Sequence, residues 1–192
     1  MTGEPETVDG AGASSPPAPI EPAKEAPARF ARPAEIITIL SVVGIDQLTK
    51  LIVRQFVPLH EAINVIPGLL DLTHVQNTGA AFGLLNAAEF PYKPSIMIAI
   101  AAIALIAIAA YGAQLGFHER MARLGLALIL GGAFGNLIDR AFIGHVVDFV
   151  DVYWGNSHFW AFNVADAAIT IGAILVLLDM IGLGRHHASH PV

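Results

Sequence analysis

Two aspartates in apolar surroundings are the residues of this sequence best suited to chemistry. Asp148 lies in "GHVVDF" and Asp166 lies in "FNVAD", both beside long apolar segments. A charge at bilayer depth costs roughly 2.5–3.5 kcal/mol on insertion scales, so such residues usually have a function. Two carboxyl groups placed close together in an apolar setting cannot both ionise cheaply, and one keeps a proton. The pair would supply a base and an acid for hydrolysis of an amide by activated water, without a covalent intermediate.

Further polar residues accompany the two aspartates at helical spacing. Asn136, Asp139 and Arg140 are three and four residues apart, so they share one broad helix face. Arg140 could neutralise Asp139 at a helix end, or its guanidinium could reach back to another carboxylate. Asn163 lies three residues before Asp166 and so on its face. The simplest alternative for Asp166 is attraction of its carboxylate to a helix N-terminus.

An acid and a base in the first apolar segment have the spacing of a helical ion pair. Asp46 and Lys50 are four residues apart with the acid first, which is the favourable order on one helix face. The pair is either a structural ion pair or a device that orients an outer loop or a substrate backbone.

Other hydrolytic chemistries and other classes of protein have little support. The chain has no cysteine, no Gly-x-Ser-x-Gly segment and no His-Glu-x-x-His segment. Its histidines at 60, 74, 145 and 158 are scattered through predicted loops, where lone histidines are usually exposed. No basic patch with interleaved aromatic residues occurs, which excludes nucleic acid as a partner. Because cysteines and a zinc-binding segment are lacking and the histidines are scattered, we also expect no metal and no cofactor.

The composition indicates a membrane protein. The 192 residues are 55% hydrophobic and only 14% charged, and the mean hydropathy is +0.62. Each of four apolar segments is about 20 residues long, enough for a helix to span the ~30 Å hydrocarbon core. The sequence therefore predicts an all-α polytopic membrane protein whose single domain, residues 34–184, has helices at about 35–56, 95–115, 121–141 and 162–183.

The two ends and the cationic residues predict the topology. Residues 1–33 are rich in Pro, Ala, Glu and Gly, which predicts a disordered tail, and residues 185–192 form a second tail. Lys and Arg are concentrated in the ends and in one short connection: Lys24, Arg29, Arg32, Arg120, Arg123 and Arg185. Loop 57–94 has only Lys93, and loop 142–161 has none, while Lys50, Arg54 and Arg140 lie near the outer helix ends. Both termini are therefore expected in the cytoplasm.

The first long loop has strand-like features. Residues 69–76, "LLDLTHVQ", partly alternate between apolar and polar residues and are flanked by the turn signals Pro67-Gly68 and Asn77-Thr78-Gly79. We expect a small sheet on the outer membrane surface. An edge strand at 69–76 could hold an extended peptide through backbone hydrogen bonds.

Five blocks together resemble one family, the lipoprotein signal peptidases, also called signal peptidase II. The blocks are "DQLTK" (46–50), "QNTGAAFGLL" (76–85), "GNLIDR" (135–140), "GHVVDF" (144–149) and "FNVAD" (162–166). They appear in the family's order within the four apolar segments. Each block alone is weakly specific, but their combination is highly specific, and the resemblance covers about residues 35–183.

The resemblance implies a fold, an activity and a set of site residues. The fold is four transmembrane helices with a small periplasmic β-cradle and a short periplasmic helix. The activity is that of an aspartic endopeptidase of the bacterial cytoplasmic membrane that cuts diacylglyceryl-modified prolipoproteins before the lipidated cysteine. We expect the protein to be a monomer. The catalytic aspartates match Asp148 and Asp166, and the supporting residues match Asp46, Lys50, Asn77, Asn136, Asp139, Arg140 and Asn163.

Two other classes of function compete with a peptidase. Intramembrane acids also serve proton relays, so a small proton-coupled transporter or channel subunit is the main alternative. Against it, the sequence has no internal repeat between helix pairs and no broken helix at mid-membrane. A structural membrane scaffold would explain the apolar segments but would leave Asp166 without a function.

Overall fold

Helices and a small sheet alternate along the chain in the computed structural model, which describes residues 32–79, 88, 90–116 and 118–182. The helices within these residues are α1 (Pro33–Phe56), α2 (Lys93–Gly112), α3 (Arg120–Ile143) and α4 (Val164–Met180). The strands are β1 (Ala62–Ile66), β2 (Leu70–Asn77), β3 (Val146–Trp154) and β4 (Ser157–His158). The predicted tails at 1–33 and 185–192 lie, except for residues 32 and 33, outside the described residues.

Three described helices are long and apolar enough to cross a membrane, namely α1, α2 and α3. Helix α4 has 17 residues, or about 26 Å at 1.5 Å per residue. It begins at Val164, two residues later than predicted, because Asn163 caps it. Helix α2 ends at Gly112, three residues before the predicted end. Large apolar side chains such as Leu40, Ile103 and Leu177 are exposed on the helices, which is typical of surfaces that face lipid.

Helix α3 is the centre of the bundle because its glycines let the neighbouring helices approach closely. A Cβ on Gly131 would contact Val42 of α1, and a Cβ on Gly132 would clash with the Ala165 carbonyl of α4. A Cβ on Gly135 would lie 2.5 Å from an Asp46 carboxylate oxygen. Small residues spaced four apart are the usual means of close helix packing in membranes.

A methyl group at Gly132 should therefore loosen the contact between α3 and α4. We expect Gly132→Ala to destabilise the fold by about 1–3 kcal/mol, the usual cost of overpacking. Gly44→Ala on α1 is the matched control, because a Cβ added there would have no described atom within 4 Å. That control should be neutral or slightly stabilising, because Ala favours helix over Gly. Thermal unfolding in detergent measures both, and equal stabilities would contradict the packing.

The described strands form one antiparallel sheet in the order β1-β2-β3-β4. Strand β2 lies where a strand is predicted, but the prediction that it forms an edge is wrong: it pairs with β1 on one side and β3 on the other. Strand β3 is not among the predicted elements, although "VVDFVDVYW" is rich in β-branched and aromatic residues. The short periplasmic helix is not among the described elements, and residues 80–87 and 89, between β2 and α2, lie outside the described residues.

The sheet packs against the end of α1, which fixes where β3 begins. Val53 and Val57 form a buried apolar cluster with Val147 and Phe149. Between α3 and β3, Gly144 adopts a φ of 79°, which ends the helix in the left-handed conformation that glycine favours. This turn brings Asp148 back over the bundle, beside the start of α4.

Candidate active site

Asp148 lies on β3 between two amide side chains. Asn163 donates through Nδ2 to Oδ1 of Asp148 at 2.7 Å, and Asn77 donates through Nδ2 to Oδ2 at 3.0 Å. The residue is only 3% exposed. Burial, followed by the nearby charge of Asp166, raises the pKa of Asp148 to about 7, although the two amide donors act in the opposite direction. Near neutral pH this carboxyl is therefore populated in both its protonated and its ionised form.

Asp166 lies in the first turn of α4 and is held from two directions. Its backbone N–H donates to Oδ1 of Asn163 at 3.0 Å, and the Asn163 N–H donates to Oδ2 of Asp166 at 3.3 Å. This reciprocal arrangement is a capping box, so attraction to the helix N-terminus does operate here. The other carboxylate oxygen accepts from Nδ2 of Asn136 on α3 at 2.8 Å. Capping alone does not account for that third contact.

The two asparagines form a bridge between the aspartates. Asn163 donates to Asp148 and also to Oδ1 of Asn136 at 3.2 Å, while Asn136 donates to Asp166. Oδ1 of Asn136 also accepts from Nζ of Lys50 at 2.8 Å. Because an ammonium only donates, it fixes the Asn136 amide with its oxygen toward Lys50 and its nitrogen toward Asp166.

A buried ion cluster lies beneath this bridge. Lys50 contacts Asp46 at 2.8 Å and Asp139 at 3.0 Å, and with Asn136 these acceptors satisfy its three N–H donors. Asp46 and Lys50 are 0% exposed. The Asp46–Lys50 pair is therefore a structural ion pair, and the residue that it also orients is Asn136 of the site.

The ion cluster also holds the backbone immediately before each catalytic candidate. The Ala165 N–H, one residue before Asp166, donates to Oδ1 of Asp46 at 2.9 Å. The Val147 N–H, one residue before Asp148, donates to Oδ2 of Asp139 at 3.2 Å. Lys50 thus links the two carboxylates that position α4 and β3, and the relative position of the two aspartates depends on it.

The contacts of Arg140 differ from both roles that the sequence suggests for it. Its guanidinium donates to the carbonyl oxygens of Gly79 at 2.7 Å and Asn136 at 3.3 Å. Within the described part of the chain, no ion pair joins it to Asp139, which is engaged by Lys50 and Val147 instead. Arg140 therefore anchors the turn after β2, where Oδ1 of Asn77 also accepts from the Gly79 N–H at 3.0 Å.

Sequence reasoning missed two participants. Gln47 donates through Nε2 to Asp46 at 3.2 Å, to the Gly135 carbonyl at 3.1 Å and to Asp139 at 3.1 Å. Its position inside the "DQLTK" block is the available signal. His74 is expected from sequence to be exposed, but it is buried on β2 and its Nδ1 lies 2.9 Å from the Val57 carbonyl oxygen. It is a structural residue that ties β2 to the end of α1.

Comparison with known proteins gives consistent matches over most of the chain. Residues 38–182 match the model of the signal peptidase (SPase) II family. The lipoprotein signal peptidase of Geobacter metallireducens is 47% identical over 146 residues, covering 76% of this chain and 88% of that protein. The lipoprotein signal peptidase of Geobacter sulfurreducens is 43% identical over 150 residues, covering 78% and 92%. A solved bacterial membrane enzyme has a TM-score of 0.71 and 30% identity, covering 83% of this chain and 94% of its own.

Proposed function

Since the chain belongs to the signal peptidase II family of proteases, which remove signal peptides from prolipoproteins, we propose that it does so with Asp148 and Asp166 as a catalytic pair. The observation that carries this proposal is the bridge of Asn163 and Asn136, which holds one carboxylate each. The two carboxyl groups come from different elements, β3 and α4, yet share one hydrogen-bonded network. Such a pair is the usual apparatus for hydrolysis by water alone.

The chemistry follows from the shared proton. One ionised carboxylate accepts a proton from a water molecule as that water attacks the carbonyl carbon of the scissile peptide. The protonated partner donates a hydrogen bond to the carbonyl oxygen and then delivers a proton to the departing amide nitrogen. A pKa of about 7 for Asp148 suits it to gain and lose this proton at neutral pH.

The remaining polar residues position this pair. Asn77 and Asn163 hold Asp148, and Asn136 holds Asp166. Asp46, Lys50 and Asp139 hold the backbone before each aspartate. Arg140 fixes the Gly79 carbonyl at the turn that carries Asn77. None of these supporting groups takes the proton from water.

In this proposal the site lies at the outer membrane surface. It is formed by the last three turns of α1 and α3, the first turn of α4 and strands β2 and β3, whereas Arg120 and Arg123 lie at the opposite end of the bundle. The concentration of Lys and Arg at that opposite end favours cytoplasmic termini and a periplasmic site in the inner membrane. Exposed aromatic residues near the sheet, Tyr92, Phe142, Trp154 and Trp160, suit a membrane–water interface. Here α4 is the fourth transmembrane helix and the sheet is the periplasmic cradle.

The protein acts as a monomer on a membrane-bound substrate. Both aspartates and all their amide donors belong to one chain, so no second copy is needed to complete the site. The substrate is a prolipoprotein whose cysteine carries diacylglycerol, and the cut lies immediately before that cysteine.

Lipidation of the substrate should determine the rate of cleavage. Burial contributes about 0.8 kcal/mol per CH₂ group, so two acyl chains hold the substrate in the same leaflet as the site. We expect the diacylglyceryl form to be cleaved at least about tenfold faster than the unmodified form, which corresponds to about 1.4 kcal/mol. Purified protein in one detergent, assayed with both forms, measures the ratio. Equal rates would overturn the role of the lipid, and no cleavage of either form would overturn the proposed function.

A further inference from the structure

One backbone position on β2 faces away from β3, on the side where β1 has already ended, beside the residues of the catalytic pair. We infer that the main-chain N–H and C=O of Gln76 bind the backbone of one residue of the extended substrate peptide. Because the ligand is a peptide backbone, this site selects an extended chain conformation and not a particular side chain. The inference deepens the proposed function and rests on it.

The β3 side of β2 shows which way Gln76 points. Gln76 lies opposite Val147, but both main-chain groups of Val147 are used elsewhere. Its N–H donates to Asp139 at 3.2 Å, and its C=O accepts from Asn163 at 3.3 Å. Gln76 and Val147 are therefore a non-hydrogen-bonded pair, in which the main-chain groups of each residue point away from the other strand.

The β1 side leads to the same conclusion independently. The His74 N–H donates to the Glu61 carbonyl at 3.2 Å, and the His74 C=O accepts from the His60 N–H at 2.9 Å. His74 thus faces β1. Because main-chain direction alternates along a strand, Gln76 faces the same side two residues later.

The neighbouring segment has left the sheet by the level of Gln76. His60 adopts a φ of 64°, a left-handed conformation that redirects the chain. Val57 and Pro58 precede it and connect to α1, and Pro58 has no N–H to donate. Among the described residues, no main-chain hydrogen bond to Gln76 is present on this side. The free edge of β2 is therefore a single residue long.

The position of this free edge suits a substrate anchor. Gln76 directly precedes Asn77, whose amide donates to Asp148 at 3.0 Å. A peptide paired to Gln76 would lie about 4.8 Å from β2, one strand spacing away. When the peptide runs antiparallel to β2, both hydrogen bonds go to the same substrate residue. The anchor then fixes one residue near the scissile bond, and the peptide crosses to the aspartates beyond the end of β2.

The substrate side of the test is a scan of backbone esters. Each peptide N–H flanking the scissile bond of a synthetic diacylglyceryl peptide is replaced, one at a time, by an ester oxygen. A lost hydrogen bond is worth about 1 kcal/mol, so we expect kcat/KM to fall about fivefold at one residue and little at its two neighbours. A flat profile with normal cleavage of the parent peptide would overturn the anchor but not the function. No cleavage of the parent peptide would overturn the function itself.

The enzyme side of the test uses Gln76→Pro with Gln76→Ala as the matched control. Proline removes the Gln76 N–H, and this N–H is not part of the ladder with β3, so the strand tolerates the change. We expect kcat/KM to fall about fivefold or more in Gln76→Pro. Gln76→Ala keeps the main-chain N–H, so any loss in it should be clearly smaller. The ester removes the substrate N–H that donates to the Gln76 C=O, whereas proline removes the Gln76 N–H itself. The same ester should therefore slow Gln76→Pro further. Wild-type kcat/KM in a folded Gln76→Pro variant, or a loss in Gln76→Ala as large as that in Gln76→Pro, would contradict the anchor.

Discussion

Asp148→Asn and Asp166→Asn should each abolish cleavage while leaving the fold intact. An amide neither accepts the proton of the attacking water nor delivers one to the leaving nitrogen, and general acid–base catalysis contributes about 10²–10⁴-fold. Because both functions belong to one pair, losing either carboxyl should cost at least the upper part of that range. Cleavage of a diacylglyceryl prolipoprotein by purified variants in detergent measures the loss.

Asp151→Asn is the matched control for the aspartate substitutions. Asp151 lies on the same strand three residues after Asp148, and its carboxylate contacts His158 at 2.8 Å and not the site. This variant should retain near-normal turnover. Near-normal turnover by Asp148→Asn or Asp166→Asn would remove that aspartate from the chemistry.

Lys50→Met should have the largest effect on stability of any substitution considered. It leaves Asp46, at 0% exposure, and Asp139, at 2%, without their cation. Breaking a buried ion pair by removing one partner typically costs about 3–5 kcal/mol, because a buried charge is left uncompensated. We expect the free energy of unfolding in detergent to fall by about that amount.

Two controls test whether the loss of stability comes from an uncompensated buried charge or from any loss of a cation on α1. Arg54→Met removes a cation one turn later on α1, where the side chain is exposed, and should have little effect. Lys50→Met combined with Asp46→Asn removes one uncompensated charge and should recover part of the stability. If Lys50→Met and Arg54→Met were equally stable, the cluster would not hold the site together.

The chemistry of the site is more accessible from the sequence than its geometry. Local spacing places Asn163 beside Asp166 and Asn136 beside Arg140, because helix periodicity is regular. Asn163 and Asn136 prove to be the bridge between the aspartates. Membership of a protease family also decides against the transporter and scaffold interpretations.

The spacing of residues along the chain does not predict contacts between residues that are distant in sequence. From spacing, only carboxylates are expected as partners of Arg140. Its acceptor in the structure is the Gly79 carbonyl, which lies 61 residues away along the chain and so cannot be found from local spacing. The sequence predicts β2 as an edge because β3 follows α3 directly and resembles a connection. Once β3 pairs with β2, the free edge shrinks to Gln76. A main-chain donor has no signature in sequence, so only the register of the sheet identifies it.

The most direct test of the catalytic pair is the mass of the products from one diacylglyceryl prolipoprotein, incubated with wild-type protein and with Asp148→Asn. With the wild-type protein, we expect two products, the free signal peptide and a chain that begins with the diacylglyceryl cysteine. With Asp148→Asn, we expect only the intact substrate. A wild-type cut at another bond, or the same two products from Asp148→Asn, would contradict the proposed function.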